Sequence, residues 1–316
     1  MTATIETRLL TLSGCAALAA ALMIGTALVT PFSARATEAA VSAATISFER
    51  DWVVTPQAAR DLIAQGALVF DARAPDLKRQ TPLANAVPIV WQDLSEPDLP
   101  TRGRLIADDA VLTKKLQALG VSKDLPVVLV GDPVKGWGED GRLVWTLRTL
   151  GHPNVVLVNG GLPALLHAGP VAIKPAAAGT FVVQRTDKWE IKKEEIKAHL
   201  GESDVVIIDA REPREYEGST PYGETRGGHV PGAKHVFYKD LLDKNGNLLP
   251  PTDIEAKLAS FGASKDSKIV AYCTGGIRSG WFTSVLNDLG YKARNYAGSM
   301  WEWSAQPASE YPLVKN

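Results

Sequence analysis

Cysteine is scarce in this chain, and its scarcity excludes whole classes of protein. The 316 residues include two cysteines, Cys15 and Cys273, which are too few for the disulfide framework of a small secreted domain. The five histidines are scattered, without the paired spacing of a metal site. A formal net charge of −1 offers nucleic acid no strongly basic surface. The composition therefore predicts a protein without a metal or other cofactor and without a nucleic-acid partner.

The N-terminal segment lacks charge over a long stretch. Residues 9–32 contain no charged side chain, Arg8 precedes them, and an Ala-Arg-Ala sequence follows at residues 34–36. This layout is typical of a secretory signal peptide. We expect cleavage of residues 1–36, which places the mature protein in the periplasm or outside the cell, without membrane insertion. An uncleaved membrane anchor is the alternative. A lipoprotein box at residues 12–15 is disfavoured because the apolar run follows its cysteine.

Removal of the leader would leave a single thiol in the mature protein. Cys273 is then the only cysteine, and an unpaired thiol in an oxidising compartment is a liability unless it has a function. The alternative is a small buried hydrophobic residue, which is common for free cysteine. The sequence around Cys273 favours a functional thiol.

Two stretches of the sequence recur at one spacing. Residues 69–75 (VFDARAP) recur as residues 207–213 (IIDAREP), an offset of 138 positions (69 to 207). A second pair of stretches has the same offset, residues 158–161 and 296–299. A constant offset at both ends of a unit indicates duplication.

The duplication predicts a tandem of two domains. Each unit is too large for a solenoid repeat, and Trp52 and Trp189 stand ahead of the two copies at nearly the same offset. We place the first domain at residues 47–168 and the second at residues 185–313. A segment rich in Pro, Ala and Gly predicts a linker at residues 169–184.

Short apolar runs alternate with helical patterns in the second unit. Residues 205–208 and 269–272 are apolar runs predicted as buried strands, and the helical patterns that follow end at Gly262 and Gly290. Apolar strands separated by helices indicate an α/β fold with a parallel sheet covered on both faces. Asn245-Gly246 predicts a tight turn between these elements.

Cys273 ends one of the predicted strands, and Ser279 is predicted to open the next helix. Sites in open α/β sheets form at the carboxyl ends of strands. Gly275 and Gly276 allow a tight turn with inward-pointing N–H groups, while the helix N-terminus and Arg278 add positive charge. Because these features stabilise a thiolate, they predict that Cys273 is a nucleophile.

These motifs resemble the rhodanese family. The resemblance rests on the Cys-x-x-Gly-x-Arg-Ser loop at 273–279, the Asp-x-Arg-x-Pro-x-Glu-Tyr stretch at 209–216, the Gly-His-Val-Pro-Gly-Ala stretch at 228–233 and the closing stretch at 296–303. It covers both units. It implies that each domain has a mostly parallel five-stranded sheet flanked by helices. It also implies that Cys273 accepts sulfane sulfur as a persulfide and passes it to a thiophilic acceptor.

The first copy in tandem members of this family is typically inactive. In this sequence the counterpart of the cysteine loop, residues 131–137, has no cysteine and is longer. We therefore expect the first domain to be catalytically inactive, with a scaffolding role and one wall of the active site.

The resemblance also implies roles for the residues around Cys273. We expect Arg278 to bind the anionic part of a donor, Asp209 and Arg211 to form a structural ion pair, and His229 to hold a turn. The residues expected to form the substrate cradle are Thr274, Gly275, Gly276, Ile277, Arg278 and Ser279.

Arg214 lies near the place where tandem members hold a donor-binding arginine. By count from Asp209, however, Glu215 occupies that place, which leaves the role of Arg214 open. Trp301 and Met300 either rim the pocket or pack in the core.

The expected function is sulfur transfer through Cys273. The single arginine of the loop favours an anionic donor, thiosulfate ahead of 3-mercaptopyruvate, and the acceptor is a thiol, cyanide or a protein. A sulfur carrier or binding module without turnover is the alternative. A cysteine phosphatase or arsenate reductase is less favoured, because those enzymes place their arginine six positions after the cysteine and Ser279 holds that position here.

Overall fold

Two parallel β-sheets with helices on their faces make up residues 50–315, which the computed structural model describes. The predicted signal peptide at residues 1–36, including Cys15, lies outside these residues. Residues 50–315 belong to one unit by their contacts, so the predicted domain boundaries within them stay predictions. No helix in this part of the chain is long and apolar enough to cross a membrane.

The first sheet has five parallel strands in the spatial order β1-β5-β4-β2-β3. Its strands are β1 (Val53–Val54), β2 (Leu68–Asp71), β3 (Val87–Pro88), β4 (Val127–Val130) and β5 (Val155–Val158). Its helices are α1 (Pro56–Gln65), α2 (Pro75–Gln80), α3 (Asp109–Ala118), α4 (Glu139–Thr149) and α5 (Gly161–His167), with a 3₁₀ turn at Trp91–Leu94. β2, β4 and β5 are buried along their whole length, as expected for strands covered on both faces.

The second sheet has four parallel strands in the order β7-β6-β8-β9. Its strands are β6 (Val205–Asp209), β7 (Lys234–His235), β8 (Lys268–Tyr272) and β9 (Lys292–Asn295). Its helices are α6 (Lys193–Ala198), α7 (Pro213–Tyr216), α8 (Pro251–Ala259), α9 (Ile277–Asp288) and α10 (Ser299–Ser304), with a 3₁₀ turn at Tyr238–Leu241. Two predicted strands are thus confirmed as β6 and β8. The predicted tight turn is confirmed at Gly246, whose φ is +84°.

The second sheet is one strand short of the five that the family resemblance implied. In place of β1 it has a single parallel bridge between Glu190 and Asn295. The N–H of Asn295 donates to the carbonyl of Trp189 at 2.9 Å, just as the N–H of Leu157 donates to the carbonyl of Trp52 at 2.9 Å. The edge pairing therefore begins in the same way in both halves, but in the second half it ends after one residue.

The two halves meet through α4 and α9. A Cβ on Gly141 of α4 would lie 2.5 Å from the ring of Trp281 of α9, and the hydroxyl of Ser284 donates to the carbonyl of Gly141 at 2.9 Å. Because Gly141 has no side chain, the helices approach closely. This contact places the loop that precedes α4 beside the loop that precedes α9.

The predicted linker, residues 169–184, contains no helix or strand. The N–H of Phe181 donates to the carbonyl of Val121 at 3.0 Å. The side chain of Phe181 is 2% exposed and lies against the ring of His152, with 5.2 Å between ring centroids. Phe181 therefore anchors this segment to the core of the first half.

Candidate active site

Cys273 lies at the carboxyl end of β8, directly before α9. β8 ends at Tyr272 and α9 begins at Ile277, two residues earlier than the predicted start at Ser279. Gly276 precedes the helix with a φ of +80°, a left-handed conformation that glycine adopts without steric cost. This turn directs the N–H of Gly276 to the sulfur of Cys273 at 3.1 Å.

The sulfur of Cys273 is buried among groups that favour a negative charge. Cys273 has no exposed surface (0%), and Oγ of Ser279, whose proton goes to Oδ1 of Asn295, lies 3.5 Å from its sulfur. Burial raises the pKa of the thiol. The charge of Arg278 and hydrogen bonds from Ser279 and Gly275 lower it by more than burial raises it, so the pKa lies below its ordinary value. The loop therefore stabilises the thiolate.

Neither glycine of the loop leaves room for a side chain. A Cβ on Gly275 would lie 2.1 Å from the ring of Trp301. A Cβ on Gly276 would lie 2.4 Å from Nη1 of Arg142 and 2.6 Å from the carbonyl oxygen of Ala297. Close packing therefore requires glycine at both positions, and at Gly276 the backbone conformation requires it as well.

Arg278 is held by a carboxylate that sequence reasoning did not assign to the site. Its Nη1 and Nη2 donate to the two carboxylate oxygens of Glu215 at 2.5 and 2.8 Å. The hydroxyl of Thr274 accepts from Arg278 and donates to Glu215, both at 2.6 Å. Burial raises the pKa of Glu215, but the bonds and charge of Arg278 lower it below its ordinary value. The predicted anion-binding arginine is thus already paired within the protein.

A signal for Glu215 was present in the sequence. Glu215 lies six residues after Asp209 (209 to 215), and the equivalent residue of the first copy, six after Asp71, is Leu77. The carboxylate thus occurs only in the copy that contains the cysteine. Such an association within one chain distinguishes a site residue from a residue of the shared scaffold.

Three predicted residues have structural partners. Asp209 and Arg211 form an ion pair at 2.6 Å, with both side chains fully buried. His229 stacks on Tyr216, with 3.7 Å between ring centroids. These contacts agree with the structural roles predicted for them.

Arg214 lies at the surface. Its guanidinium pairs with Glu212 at 2.9 Å, its side chain is 57% exposed, and its Nη2 donates to the hydroxyl of Tyr222 at 3.3 Å. Within residues 50–315 its side chain makes no hydrogen bond or ion pair with the cysteine loop. Arg214 is therefore connected to the site by its hydrogen bond to Tyr222.

The residues after β9 hold the cysteine loop from its other side. The hydroxyl of Ser299, whose φ is +50°, accepts from the N–H of Cys273 at 3.1 Å. The N–H groups of Met300 and Trp301 donate to the carbonyls of Cys273 and Thr274 at 3.1 and 2.9 Å. Met300 is fully buried (0%), so of its two predicted places it takes the core.

Arg142 of the first half braces the loop, and sequence reasoning missed it. Its Nη1 donates to the carbonyl of Gly276 at 2.9 Å, and its Nη2 donates to the carbonyl of Gly103 at 2.7 Å. Burial lowers the pKa of Arg142 to about 10, against the opposing effect of Cys273, so the guanidinium stays charged at neutral pH. Local sequence held no signal for this contact, because it depends on how α4 and α9 pack.

A pocket of about 160 Å³ lies beside the loop. Its lining residues are Trp137, Tyr222, Thr274, Arg278 and Trp301. Trp137 belongs to the first-half loop at residues 131–137, which thus supplies one wall. The side chains of Trp137 and Tyr222 are 40% and 36% exposed, so the pocket opens to solvent between aromatic rings.

A thiol with a lowered pKa, set in a loop of backbone N–H groups at the end of a parallel strand, defines a cysteine-dependent group-transfer site. Comparison with known proteins identifies the family. The rhodanese-like domain family matches residues 192–306. The chain is 32% identical over 199 residues to the thiosulfate sulfurtransferase of Azotobacter vinelandii, covering 62% of this chain and 72% of that protein. It therefore belongs to the rhodanese family of sulfurtransferases.

Two further comparisons agree with this assignment. The chain is 30% identical over 208 residues to the probable 3-mercaptopyruvate sulfurtransferase of Pseudomonas aeruginosa, covering 64% of this chain and 72% of that protein. Its fold is similar to the crystal structure of the Tum1 protein from Saccharomyces cerevisiae, with a TM-score of 0.70, 20% sequence identity and coverage of 86% of this chain and 99% of that one.

Proposed function

We propose that this sulfurtransferase carries sulfane sulfur as a persulfide on Cys273, taking it from an anionic donor and passing it to a thiophilic acceptor. The observation that carries the proposal is the environment of the Cys273 sulfur. It is fully buried, accepts from the N–H of Gly276 at 3.1 Å and has a lowered pKa. The same inward N–H groups and the amino end of α9 suit the terminal sulfur of a Cys-S-S anion.

Each half-reaction moves one sulfur and balances without an external oxidant. In the first, the Cys273 thiolate attacks the outer sulfur of thiosulfate, a new S–S bond forms, and sulfite leaves with the electron pair of the broken bond. In the second, an acceptor thiolate or cyanide attacks the terminal sulfur of the persulfide, and the Cys273 thiolate is the leaving group. The lowered pKa of Cys273 favours the first attack and the second departure.

We infer that thiosulfate is preferred to 3-mercaptopyruvate as the donor. The loop lacks the small Gly-Ser pattern of loops that resemble mercaptopyruvate enzymes. Arg278 is paired with Glu215, so the inward N–H groups of the loop and the amino end of α9 are what suit an anionic donor. The pocket beside Thr274 and Arg278 is the route by which we expect the donor to enter. A relative named thiosulfate sulfurtransferase supports this order.

The alternative of a phosphatase loses support from two contacts. Ser279, at the position where phosphatases hold arginine, donates to Asn295 at 2.7 Å. Arg278 donates hydrogen bonds to both carboxylate oxygens of Glu215. A tetrahedral phosphate would need an arginine free to grip two of its oxygens.

Intact-mass measurement after incubation with thiosulfate tests the proposal. The expected result is a gain of one sulfur, about 32 Da, that is absent in Cys273→Ser and is removed by cyanide with release of thiocyanate. Steady-state kinetics with thiosulfate and with 3-mercaptopyruvate then decide the donor. A persulfide that forms but resists cyanide and small thiols would favour the carrier alternative. Hydrolysis of an aryl phosphate at a comparable rate would overturn the proposal.

We also propose that the protein is exported. The uncharged run at residues 9–32 and the Ala-Arg-Ala site at 34–36 support a mature chain that begins near Thr37. N-terminal sequencing of the protein from fractionated cells tests this proposal. An intact N-terminus in the cytosolic fraction would contradict it.

A further inference from the structure

A cavity of about 340 Å³ lies at the end of the second sheet opposite to Cys273. It adjoins Val205, Lys268 and Lys292, the first residues of β6, β8 and β9, whereas Cys273 follows the last residue of β8. The five residues of β8 separate the two places by about 16 Å, at 3.3 Å per residue. The cavity is therefore distinct from the cysteine pocket, and its volume is in the range of small-molecule sites.

The equivalent place in the first half is filled by a side chain. Arg148, the penultimate residue of α4, donates from Nε and Nη2 to the carbonyl of Val155 at 3.0 and 2.8 Å. Its Nη2 also donates to the carbonyl of Asp51 at 2.9 Å. Its guanidinium lies 4.2 Å from the ring centroid of Trp52. This long side chain closes the amino end of the first sheet.

The second half has a short side chain where the first has Arg148. Asn287 is the penultimate residue of α9, and its Nδ2 donates to the carbonyl of Ala293 at 3.0 Å. Ala293 pairs with Ile269 as Val155 pairs with Val127, so the same carbonyl is bonded in both halves. The asparagine keeps this hydrogen bond but leaves unfilled the volume that the arginine occupies.

The walls of the cavity are aromatic and aliphatic. Trp52 and Trp189 meet edge to face with 5.1 Å between centroids, and Tyr291 and Ile191 add buried apolar surface. Flat apolar bodies bind well between such rings. A ligand of this cavity therefore has an aromatic body.

The cavity lining includes four Lys and Arg side chains, of which one is unpaired within the described residues. No aspartate or glutamate is among its lining residues. Three of its cations have carboxylate partners outside the lining: Lys268 with Asp204 at 2.7 Å, Lys292 with Asp266 at 3.7 Å and Arg294 with Glu195 at 3.0 Å. Lys188 has no ion pair within residues 50–315, and its Nζ lies 5.1 Å from the ring centroid of Trp189. An uncompensated ammonium beside an aromatic wall suits an aromatic carboxylate.

We propose that this cavity is a second binding site, for a small aromatic carboxylate whose ring lies against Trp189 and whose carboxylate pairs with Lys188. The site exists because Asn287 replaces the arginine that closes the first half.

Titration of the full-length protein with naphthalene-2-carboxylate, followed by calorimetry and by ligand-observed NMR, tests the site. We expect saturable binding of one equivalent to the wild type. Asn287→Arg restores the side chain of the first half and should abolish binding, while sulfur transfer from thiosulfate stays unchanged. Lys188→Gln, a change at an exposed side chain, should weaken binding about tenfold, the loss of one charge-assisted hydrogen bond of about 1.4 kcal/mol.

The neutral amide of the same ring, naphthalene-2-carboxamide, is the matched probe. The affinity of the amide for the wild type should equal the weakened affinity of the carboxylate for Lys188→Gln. Equal binding of the two probes would overturn the assignment of an anionic ligand. Undiminished binding to a folded Asn287→Arg, or absence of binding to the wild type at millimolar probe, would overturn the site itself.

Discussion

The two halves of this protein share a scaffold but differ at the end of one strand. Each half has an Asp-Arg ion pair at the end of an equivalent strand, Asp71 with Arg73 at 2.7 Å and Asp209 with Arg211 at 2.6 Å. Both pairs are buried and stabilise the same turn. Because the half without a cysteine has the same ion pair, that pair has no role specific to sulfur chemistry. The comparison therefore separates what builds the fold from what builds the site.

The first half differs in having neither a thiol nor the room for one. Gly131 follows Val130 as Cys273 follows Tyr272, at the same register of the two sheets. A Cβ on Gly131 would lie 2.4 Å from Oδ2 of Asp140. The carboxyl of Asp140 thus takes the space that the second half gives to the cysteine side chain.

Gly276→Ala should have the largest effect on the half that contains Cys273. Alanine at a φ of +80° is strained by about 1 kcal/mol, and its Cβ would meet Nη1 of Arg142 at 2.4 Å. The loop must shift, which moves the N–H that bonds the sulfur of Cys273. We expect kcat/KM with thiosulfate to fall by about 100-fold, the effect of losing one such backbone donor.

Gly262→Ala is the matched control for that variant. Gly262 has nearly the same φ, +82°, but no atom lies within 4 Å of the position that a Cβ would take there. This substitution should lower the melting temperature through backbone strain alone and leave kcat/KM unchanged. Equal kinetic loss in both variants would refute a specific role of the Gly276 N–H.

Sequence reasoning found the parts of the fold that depend on local pattern. The buried strands β6 and β8 are continuous apolar runs, and the turn at Gly246 follows from an Asn-Gly pair. The strand count of the second sheet was not predictable in this way, because Glu190 pairs with Asn295 over one residue only. An edge strand of that length leaves no periodic pattern.

The residues of the candidate site also fall into two groups, those that the local sequence indicates and those that it does not. Cys273 and its glycines were recognisable because they lie in one short segment. The contacts of Glu215 and Arg142 join residues 63 and 134 positions apart in the chain, so only the comparison of the two copies signals Glu215, and no signal marks Arg142. Such contacts arise from tertiary packing, which the local pattern around Cys273 does not encode.

Glu215→Gln would sharpen the comparison by removing a charge that only the second half has. Arg278 would lose its counter-charge while keeping one hydrogen-bond acceptor. Its field at the Cys273 sulfur would then be less compensated, so the pKa of the thiol should fall further below its ordinary value. We expect the acid limb of the pH profile of kcat/KM to move to lower pH and the KM for thiosulfate to fall about threefold to tenfold.

Glu212→Gln serves as the control for this change. Glu212 pairs with the exposed Arg214 at 2.9 Å and does not touch the cysteine loop. Its profile should coincide with that of the wild type. An unchanged profile and KM in Glu215→Gln would show that the ion pair only supports the structure.

Asp140→Asn should have the smallest effect on sulfur transfer, because we expect it to change only stability. Burial raises the pKa of Asp140 to about 7, whereas in the unfolded chain the carboxyl ionises near 4. Between these values the folded state holds a proton that the unfolded state has lost, so stability falls as pH rises from about 4 to 7. In the wild type, Oδ1 of Asp140 accepts a hydrogen bond from the N–H of Gly141 at 2.8 Å. Asparagine at this position keeps that acceptor and has no charge to bury.

The variant should therefore be more stable than the wild type at pH 8, by an amount on the order of a few kcal/mol, with a smaller gain at pH 5. Thermal unfolding at the two pH values measures the difference. Asp266→Asn, at a side chain that is 99% exposed, should show no such pH dependence. If the two variants behave alike, burial does not raise the pKa of Asp140 in the folded protein.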